Sequence, residues 1–246
     1  MININSNLFI TKISLNKEKI PDFNIYPFNL NIIKDFDELK LNSPVTFFVG
    51  ENGSGKSTFI EAIAVAIGLN PEGGSQNFNF YTNQTHSELY KYITLSKSKK
   101  PRTKYFLRAE SFYNVASEVE KIAQSSGDDM YNSYGGNLHE CSHGESFIKL
   151  IQNRFYDNGI YILDEPEAAL SPQRQLSLLC LIDDLVKNGS QFIIATHSPI
   201  LISYRNGEIL NLDNNFQKLS YKDTDIYKTY KMYLDNPDGM QEKLFN

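Results

Sequence analysis

The chain has 246 residues, of which 41% are hydrophobic and 13% aromatic, enough to bury a substantial core as one large domain or as a domain with an inserted lobe. Its formal net charge of −5 argues against a protein that coats nucleic acid or a membrane through its overall field, while a local basic patch stays compatible with that charge. The two cysteines, Cys141 and Cys180, have no metal-ligand partner at a motif spacing, which argues against a disulfide framework or a zinc site.

No segment of the sequence has the features of an export signal or a membrane helix. Residues 1–15 lack a basic region followed by an apolar core, and no apolar run approaches the ~20 residues that a membrane helix needs. We therefore predict no membrane insertion and a cytoplasmic location, with which the sparse cysteines agree.

Two patterns of alternating apolar residues open the chain. Residues 8–15 indicate an edge-like strand, and residues 28–32 indicate a second strand. The apolar positions of the two patterns are Leu8, Ile10 and Leu15, and then Phe28, Leu30 and Ile32.

A buried strand, a glycine-rich loop and a helix follow one another from residue 45. VTFFV (45–49) is a short apolar run typical of a buried strand. STFIEAIAVAI (57–67) combines helix formers with a nearly continuous apolar surface and ends before Gly68. In the loop GENGSGKST (50–58), glycines let successive backbone N–H groups point at phosphates, and the helix adds its positive N-terminal end. This context predicts a nucleotide-phosphate site rather than a surface turn.

The polar residues of this loop have distinct expected roles. Lys56 would reach the β and γ phosphates, Ser57 would place its hydroxyl on Mg²⁺, and Thr58 would bind a more proximal phosphate. The predicted nucleotide-binding set in this segment is Gly50, Glu51, Asn52, Gly53, Ser54, Gly55, Lys56, Ser57 and Thr58.

The middle of the chain is polar and rich in turn residues. Residues 70–104 predict an inserted lobe, and YFLRAESF (105–112) predicts a strand. The most basic run is KSKKPRTK (97–104), with Arg108 beyond it. A solvated hairpin or loop is the preferred interpretation of this run, and contact with DNA phosphates is the alternative.

Two adjacent carboxylates lie in IYILDEPE. The apolar residues 160–163 predict a buried strand that delivers Asp164 and Glu165 at its carboxyl end, where ligands bind in open α/β sheets. Successive strand residues point to opposite sides, so the two carboxylates have different expected roles. Asp164 would hold Mg²⁺, and Glu165 would orient or deprotonate the attacking water. A charged pair that only caps the strand is the structural alternative.

CSHGESF (141–147) is a candidate second anion site. Ser142 and Gly144 stand at the start of an amphipathic helical pattern, and a small residue with a glycine at a helix N-terminus favours an anion. Since Lys56 already holds the γ phosphate of its own chain, this second site favours a nucleotide held by another copy. An ordinary helix cap is the alternative.

The last third of the chain returns to α/β alternation. The sequence predicts a helix after Pro172, strands at 191–195 and near 208–212, and a helix around 226–234. His197 follows the first of these strands, where it could reach a γ phosphate or the attacking water, and a structural histidine is the alternative.

Together these segments resemble the ATP-binding cassette (ABC) ATPases, and the RecF/SMC-type heads more than transporter cassettes. Short single-cassette bacterial ATPases share the phrases NPEGGS, FLRAESF and SHGESF. The resemblance covers most of residues 40–205, and GENGSGKST and LDEPEAALSP are its most specific segments. It implies an α/β P-loop NTPase fold, in which residues 1–69 and 156–246 form a three-layer core with an N-terminal antiparallel β element. Residues 70–155 would form a short inserted helical lobe.

The same resemblance implies roles for individual residues. Residues 50–58 correspond to the Walker A loop and Asp164 to the Walker B carboxylate. The residues that would act in hydrolysis, including the catalytic glutamate and the switch histidine, are Lys56, Glu165 and His197. The residues that resemble the signature motif and the D-loop are Ser142, Gly144 and Glu145, and then residues 170–172.

The sequence departs from the cassette pattern at one position. Cassettes carry a glutamine at the end of the strand that leads into the helical lobe, where it senses Mg²⁺ and the attacking water. Glu110 takes that place here, as a further candidate metal ligand, and Gln84 is the alternative. Ser142 follows Glu110 by only 32 positions, which leaves little room for the lobe that docks transporter membrane domains.

The implied function is a Mg-ATP-hydrolysing switch that associates head to tail as a homodimer, in DNA repair, stress or phage defence. Two alternatives stay open. One is the energising subunit of a membrane transporter, which the short lobe disfavours. The other is a P-loop small-molecule kinase, for which Arg102, Arg108 and Arg154 are few and scattered. Tyr26 or Phe28 is a candidate for stacking on adenine, and core packing is the preferred alternative.

Overall fold

The computed structural model describes residues 8–75, 86–110, 112 and 143–245, and these residues contain ten strands in two sheets. The smaller sheet is antiparallel. Its middle strand, β1 (Ile10–Leu15), pairs with β2 (Glu38–Lys40) on one side and with β5 (Ile93–Lys97) on the other. The strand pattern at residues 8–15 is therefore confirmed, but β1 is the central strand of its sheet and not an edge.

The larger sheet contains the remaining seven strands. Their bounds are β3 Val45–Val49, β4 Gly74–Ser75, β6 Thr103–Arg108, β7 Gly159–Asp164, β8 Gln191–Ala195, β9 Gly207–Asn211 and β10 Gln217–Leu219. The strand order is β10-β9-β3-β8-β7-β6-β4. The five inner strands are parallel to one another, and the edge strands β10 and β4 are antiparallel to their neighbours.

Helices cover both faces of the larger sheet. Their bounds are α1 Asn31–Lys34, α2 Lys56–Ala66, α3 His143–Arg154, α4 Pro172–Lys187, α5 Asp225–Asp235 and α6 Pro237–Phe245. One apolar cluster joins α2 and the smaller sheet to one face, and a second joins α3 and α4 to the other. The result is a three-layer α/β fold with a mainly parallel sheet, which confirms the predicted fold class.

The apolar runs of the central strands explain this layering. Every residue of β3, β7 and β8 is buried, because a parallel sheet covered on both faces has no solvent side. Adjacent residues of a strand belong to the apolar clusters on opposite faces of the sheet. In β3, Phe48 packs toward α2 and Phe47 packs toward α3 and α4. In the described part of the chain, no helix combines the length and the apolar character that crossing a bilayer requires.

Some local predictions differ from the structure. Residues 28–32 do not form the expected strand, because Phe28 packs edge-on against Tyr92 while α1 begins at Asn31. The end of the chain forms α6 in addition to the predicted helix, α5. Residues 86–110, which fall inside the predicted lobe, contribute β5 to the smaller sheet and β6 to the larger one.

A buried glutamine fastens the two sheets together. The Gln191 side-chain oxygen accepts hydrogen bonds from the backbone N–H groups of Phe9 (2.8 Å) and Ile10 (2.9 Å). Its amide nitrogen donates to the Ile10 carbonyl oxygen at 2.9 Å. Gln191 is fully buried. The start of β1 is thus held by side-chain bonds from the first residue of β8.

We expect Gln191→Ala to lower the free energy of unfolding by about 3 kcal/mol, because it leaves two buried N–H groups without acceptors. Urea unfolding monitored by circular dichroism measures this change. Gln217→Ala, at an exposed position of β10, is the matched control and should change the free energy by less than about 0.5 kcal/mol. Equal midpoints for the two variants would show that the bonds from Gln191 do not stabilise the fold.

Candidate functional site

The carboxyl ends of the five parallel strands meet at one edge of the larger sheet, where open α/β folds bind ligands. Each strand ends at or just before a polar or charged residue. These are the residues 50–58 after β3, Asp164 and Glu165 at the end of β7, His197 after β8, Arg108 at the end of β6 and Asp213 after β9. Segments far apart in sequence therefore supply one candidate site.

The loop between β3 and α2 is shaped by its glycines. Gly55 has a φ of +95° and immediately precedes α2. A Cβ there would lie 3.0 Å from Leu30 Cδ1 and 3.1 Å from Ile32 Cγ2, so only glycine fits without displacing α1. The loop is thereby held against apolar side chains, and α2 begins directly after it, so the unpaired N–H groups of the first turn of α2 lie next to the loop.

Lys56 lies across this loop. Its Nζ donates to the carbonyl oxygens of Gly50 at 2.9 Å and Glu51 at 2.8 Å, and the residue is only 4% exposed. Burial lowers the pKa of Lys56, while the nearby carboxylates of Glu165 and Asp213 act in the opposite direction. An ammonium has three N–H donors, so one remains for an anionic ligand. An anion in the loop would also offset the cost of burying this charge.

Ser54 and Ser57 fit a phosphate and a hard cation. The Ser54 hydroxyl oxygen is buried and has no hydrogen-bond partner among the described residues, which leaves a polar group ready for a ligand. The Ser57 hydroxyl donates to Asp164 Oδ1 at 3.1 Å across 107 positions of sequence. Hydroxyl and carboxylate oxygens are ligands that Mg²⁺ prefers.

Asp164 is a buried carboxylate. It is 5% exposed, and burial raises its pKa to about 6 even though Arg108 and Ser57 stabilise the charged form. A cation beside this carboxylate would favour its ionised state. No cluster of three His, Cys, Asp or Glu residues that could bind a metal occurs in the described ranges. The oxygen pair of Ser57 and Asp164 instead fits Mg²⁺, which binds through one or two protein oxygens together with phosphate and water.

Arg108 links three carboxylates at the end of β6. Its guanidinium lies 2.8 Å from Glu61 Oε2, 3.4 Å from Asp164 Oδ2 and 3.9 Å from Glu110 Oε2. The position of Arg108 in sequence suggested that it extends the basic run at 97–104. In the structure, Arg108 instead lies among carboxylates and is not part of that run. The Glu110 side chain is 84% exposed beside this arginine. Gln84, the alternative to Glu110, lies outside the described residues.

Glu165 and His197 come together from neighbouring strands. His197 Nε2 lies 3.8 Å from Glu165 Oε1, and among the described residues this nitrogen has no hydrogen-bond partner. Glu165 has a φ of +49°, an uncommon backbone conformation that is often found at functional sites, and its N–H donates to the Ala195 carbonyl oxygen at 2.9 Å. The side chains of Glu165 and His197, which the sequence predicts to act in hydrolysis, therefore lie next to each other.

The sequence motifs predict no separate role for Glu167. In the structure, its carboxylate holds Thr196 and His197 in place through hydrogen bonds. One carboxylate oxygen accepts from the Thr196 hydroxyl at 2.7 Å, and the other accepts from the His197 N–H at 2.5 Å. Burial raises the pKa of Glu167, against these hydrogen bonds. The sequence signal for Glu167 is its place three residues after Asp164, inside the segment LDEPEAALSP.

Asp213 is a second residue without an assigned role. Its Oδ2 accepts a hydrogen bond from the Glu51 N–H at 2.7 Å. This contact joins the segment after β9 to the beginning of the glycine-rich loop at 50–58. The two residues are 162 positions apart, and no motif in the sequence connects them.

The segment that resembles the signature motif is described from α3 onward, and Ser142 lies outside the described residues. Glu145 pairs with Arg174 of α4 at 2.9 Å. A Cβ at Gly144 would lie 2.9 Å from Arg174 Cδ and 3.1 Å from the Ala169 carbonyl oxygen. The start of α3 therefore packs closely against the chain around residues 170–172, the segment that resembles the D-loop.

Of the two candidate stacking rings, only Tyr26 is accessible. Phe28 is 2% exposed and belongs to the core, as its preferred interpretation predicted. Tyr26 is 61% exposed, and its hydroxyl lies 3.0 Å from the Thr58 hydroxyl. An exposed ring thus lies beside the first turn of α2.

The chain is similar to one protein family and to several solved structures. The family model described as "AAA domain" matches residues 22–236, well over half of the chain. No curated protein matches. Similar solved structures include the ATP binding subunit of an ABC transporter, with 17% identity over 86% of this chain and 92% of that chain and a TM-score of 0.45. Another is cbiO1 from Clostridium perfringens, part of the ABC transporter complex cbiONQ, with 18% identity over 93% and 96% of the two chains and a TM-score of 0.46.

Proposed function

The chain belongs to the AAA domain family, and from this premise we propose that it is an ABC-type P-loop NTPase that hydrolyses Mg-ATP in a site that a second copy of the chain completes. Nucleotide-dependent association would make it a switch. We place that switch in the cytoplasm, in DNA repair, stress or phage defence, on the resemblance to RecF/SMC-type heads.

One observation carries the proposal. The Ser57 hydroxyl and the Asp164 carboxylate meet at 3.1 Å although 107 positions separate them in sequence. Ser57 is next to the buried Lys56, and Asp164 is next to Glu165. A phosphate-binding lysine, an oxygen pair suited to Mg²⁺ and a candidate base are thereby contiguous, which is the set of parts that phosphoryl transfer to water uses.

The loop residues would bind the phosphates. Lys56 has a free N–H donor and a positive charge inside the loop, and Ser54 has an unpartnered hydroxyl. Thr58 would bind a more proximal phosphate, and Tyr26 beside it would stack on the adenine. These contacts would orient the nucleotide in the loop.

Ser57 and Asp164 would hold Mg²⁺, with Glu110 as a further candidate at the edge of the site. When bound, this ion neutralises charge on the phosphates. Through its ion pairs with Asp164 and Glu110, Arg108 keeps these two carboxylates near each other. The same arginine favours the ionised form of Asp164, the form that ligates a cation.

Glu165 and His197 would act on the attacking water. Glu165 would orient or deprotonate the water, and His197, 3.8 Å away, would bind either that water or the γ phosphate through its unpartnered Nε2. Glu167 acts through its neighbours, because its two hydrogen bonds fix the backbone that presents His197. Most of the rate would come from positioning and electrostatic stabilisation.

The second copy would contribute Ser142, Gly144 and Glu145. The resemblance assigns these residues to the γ phosphate of a partner's nucleotide. Within one chain, the ion pair between Glu145 and Arg174 joins the start of α3 to α4, the helix that follows Glu165 in sequence. The state of one site could thereby be transmitted to the residues that serve the other.

Light scattering of the Glu165→Gln variant tests the proposal. This variant should bind Mg-ATP but not hydrolyse it, so Mg-ATP should raise its mass from 28.1 kDa to about twice that value, while Mg-ADP should not. The double variant Lys56→Ala/Glu165→Gln is the matched control and should stay monomeric. A constant mass with ATP bound would show that a second copy does not complete the site.

A further inference from the structure

A cavity of about 780 Å³ lies between the two sheets, away from the candidate nucleotide site. The loop that joins β5 to β6 forms one wall, and the first residues of β6 and β7 form another. Its volume falls within the range of small-molecule sites. Six of the residues that line it are basic: Lys97, Lys99, Lys100, Arg102, Lys104 and Arg154.

The cavity and the nucleotide site are at opposite ends of the same strands. Thr103 and Ile160, which line the cavity, begin β6 and lie near the start of β7, whereas Arg108 and Asp164 end these strands. At ~3.3 Å per residue, β6 separates the two places by roughly 16 Å. A ligand in the cavity would therefore occupy a different site from a nucleotide bound at residues 50–58.

Four of the cavity's basic side chains have no carboxylate partner among the described residues. None of the described residues that line the cavity is acidic. Within the described ranges, Lys97, Lys99, Lys100 and Arg102 form no ion pair. Such a concentration of like charge attracts anions and is unfavourable while it is unpaired.

Lys104 shows how closely these charges are placed. Its Nζ donates to the Ile67 carbonyl oxygen at the end of α2, at 2.6 Å. Burial lowers the pKa of Lys104, and the positive charges of Lys97 and Lys100 lower it further. A bound anion would offset both effects.

Apolar side chains form the rest of the lining. Phe9, Ile10, Ile67 and Ile160 contribute, and the Lys99 ammonium lies 4.4 Å from the centre of the Phe9 ring. The Phe9 ring is nearly fully buried, and Tyr156, which is 48% exposed, lies beside the cavity with its ring centre 5.8 Å from Arg102 Cζ. Among the described residues, this is one exposed ring and not the series of rings on which successive bases stack. This combination fits one small ligand better than a nucleic-acid strand.

We propose that this cavity binds a small molecule that carries two or more phosphate groups. Its basic rim contacts the phosphates, with Lys104 deeper in the cavity, and its apolar lining contacts the remainder of the ligand. The proposal does not depend on ATP hydrolysis, because no residue of the cavity belongs to the candidate nucleotide site.

Calorimetric titration with inorganic tripolyphosphate tests this site. The Lys56→Ala background suppresses binding at the phosphate loop, so the heat reports the cavity. We expect one molecule bound per chain, and at least tenfold weaker binding after Lys100→Glu and Arg102→Glu are added. The matched control adds Lys19→Glu and Lys243→Glu, which make the same charge change at exposed positions outside the cavity, and should bind within twofold of the background.

Two results would overturn the proposal. They are the absence of tripolyphosphate binding in the Lys56→Ala background and equal affinity of the two charge-reversed variants. If tripolyphosphate does not bind but a single-stranded DNA oligomer does, the basic loop is a nucleic-acid surface. Melting temperatures of all variants confirm that each is folded, and ATP binding by the wild-type protein is measured separately, so failure here is distinguishable from failure of the proposed hydrolysis.

Discussion

Lys56→Ala is expected to weaken the binding of Mg-ATP by at least about 100-fold, which corresponds to about 3 kcal/mol. Lys56 places a buried ammonium inside the loop with one N–H donor free, and charge-assisted bonds to phosphate are among the strongest that a side chain makes. Fluorescence titration with a labelled ATP analogue measures the change. Unaltered affinity would remove the phosphate loop from the proposed function.

The fold should survive this substitution. Burial lowers the pKa of Lys56, which means that the charged form is disfavoured in the absence of a ligand, so its removal does not delete a stabilising ion pair. Lys12→Ala is the control, since Lys12 lies in β1, pairs with Glu38 at 3.0 Å and belongs neither to the candidate nucleotide site nor to the basic cavity. It should bind ATP as the wild-type protein does.

Ser142→Arg is expected to reduce ATP turnover by at least about 100-fold while the affinity for ATP stays within about twofold. The variant keeps its own phosphate loop and so binds nucleotide normally. An arginine at the position that resembles the signature serine would prevent that face from approaching a partner's γ phosphate. Steady-state phosphate release and light scattering of Ser142→Arg/Glu165→Gln measure the two consequences.

The control for this variant is Ser177→Arg. Ser177 is exposed in α4, so the substitution adds the same size and charge to a helix outside the site. Turnover there should match the wild-type rate. Unchanged turnover in Ser142→Arg would show that the chain hydrolyses ATP without this segment and would remove the reason for a shared site.

The local chemistry of the site could be read from the sequence because its parts are contiguous. The apolar run of β3, the loop at 50–58 and the helix formers of α2 occupy one continuous stretch, and each has a strong local preference. The four apolar residues before Asp164 likewise predict a buried strand that ends in two carboxylates. Sequence patterns are most informative where neighbouring residues alone determine the conformation.

Other parts of the site depend on distant segments. Asp213 reaches Glu51 across 162 positions, and Arg108 reaches Glu61 across 47. Arg108 illustrates the difficulty, since its neighbours in sequence are basic while its neighbours in space are carboxylates. The strand predicted from the alternation at residues 28–32 was wrong for the same reason. Contacts of these residues with Tyr92 and with the glycine-rich loop outweigh a short local pattern.

By itself, the sequence determined the glycine-rich loop between β3 and α2, the buried parallel strands and therefore the α/β class, because hydrophobic periodicity and glycine spacing act over a few residues. Tertiary structure alone decided that β1 is a central strand, that Glu167 fixes the backbone at His197, and that the basic loop lines a cavity at the far end of the sheet. These features arise from pairing between strands and from charges brought together by folding. Burial and long-range contacts, which no local pattern encodes, set their energies.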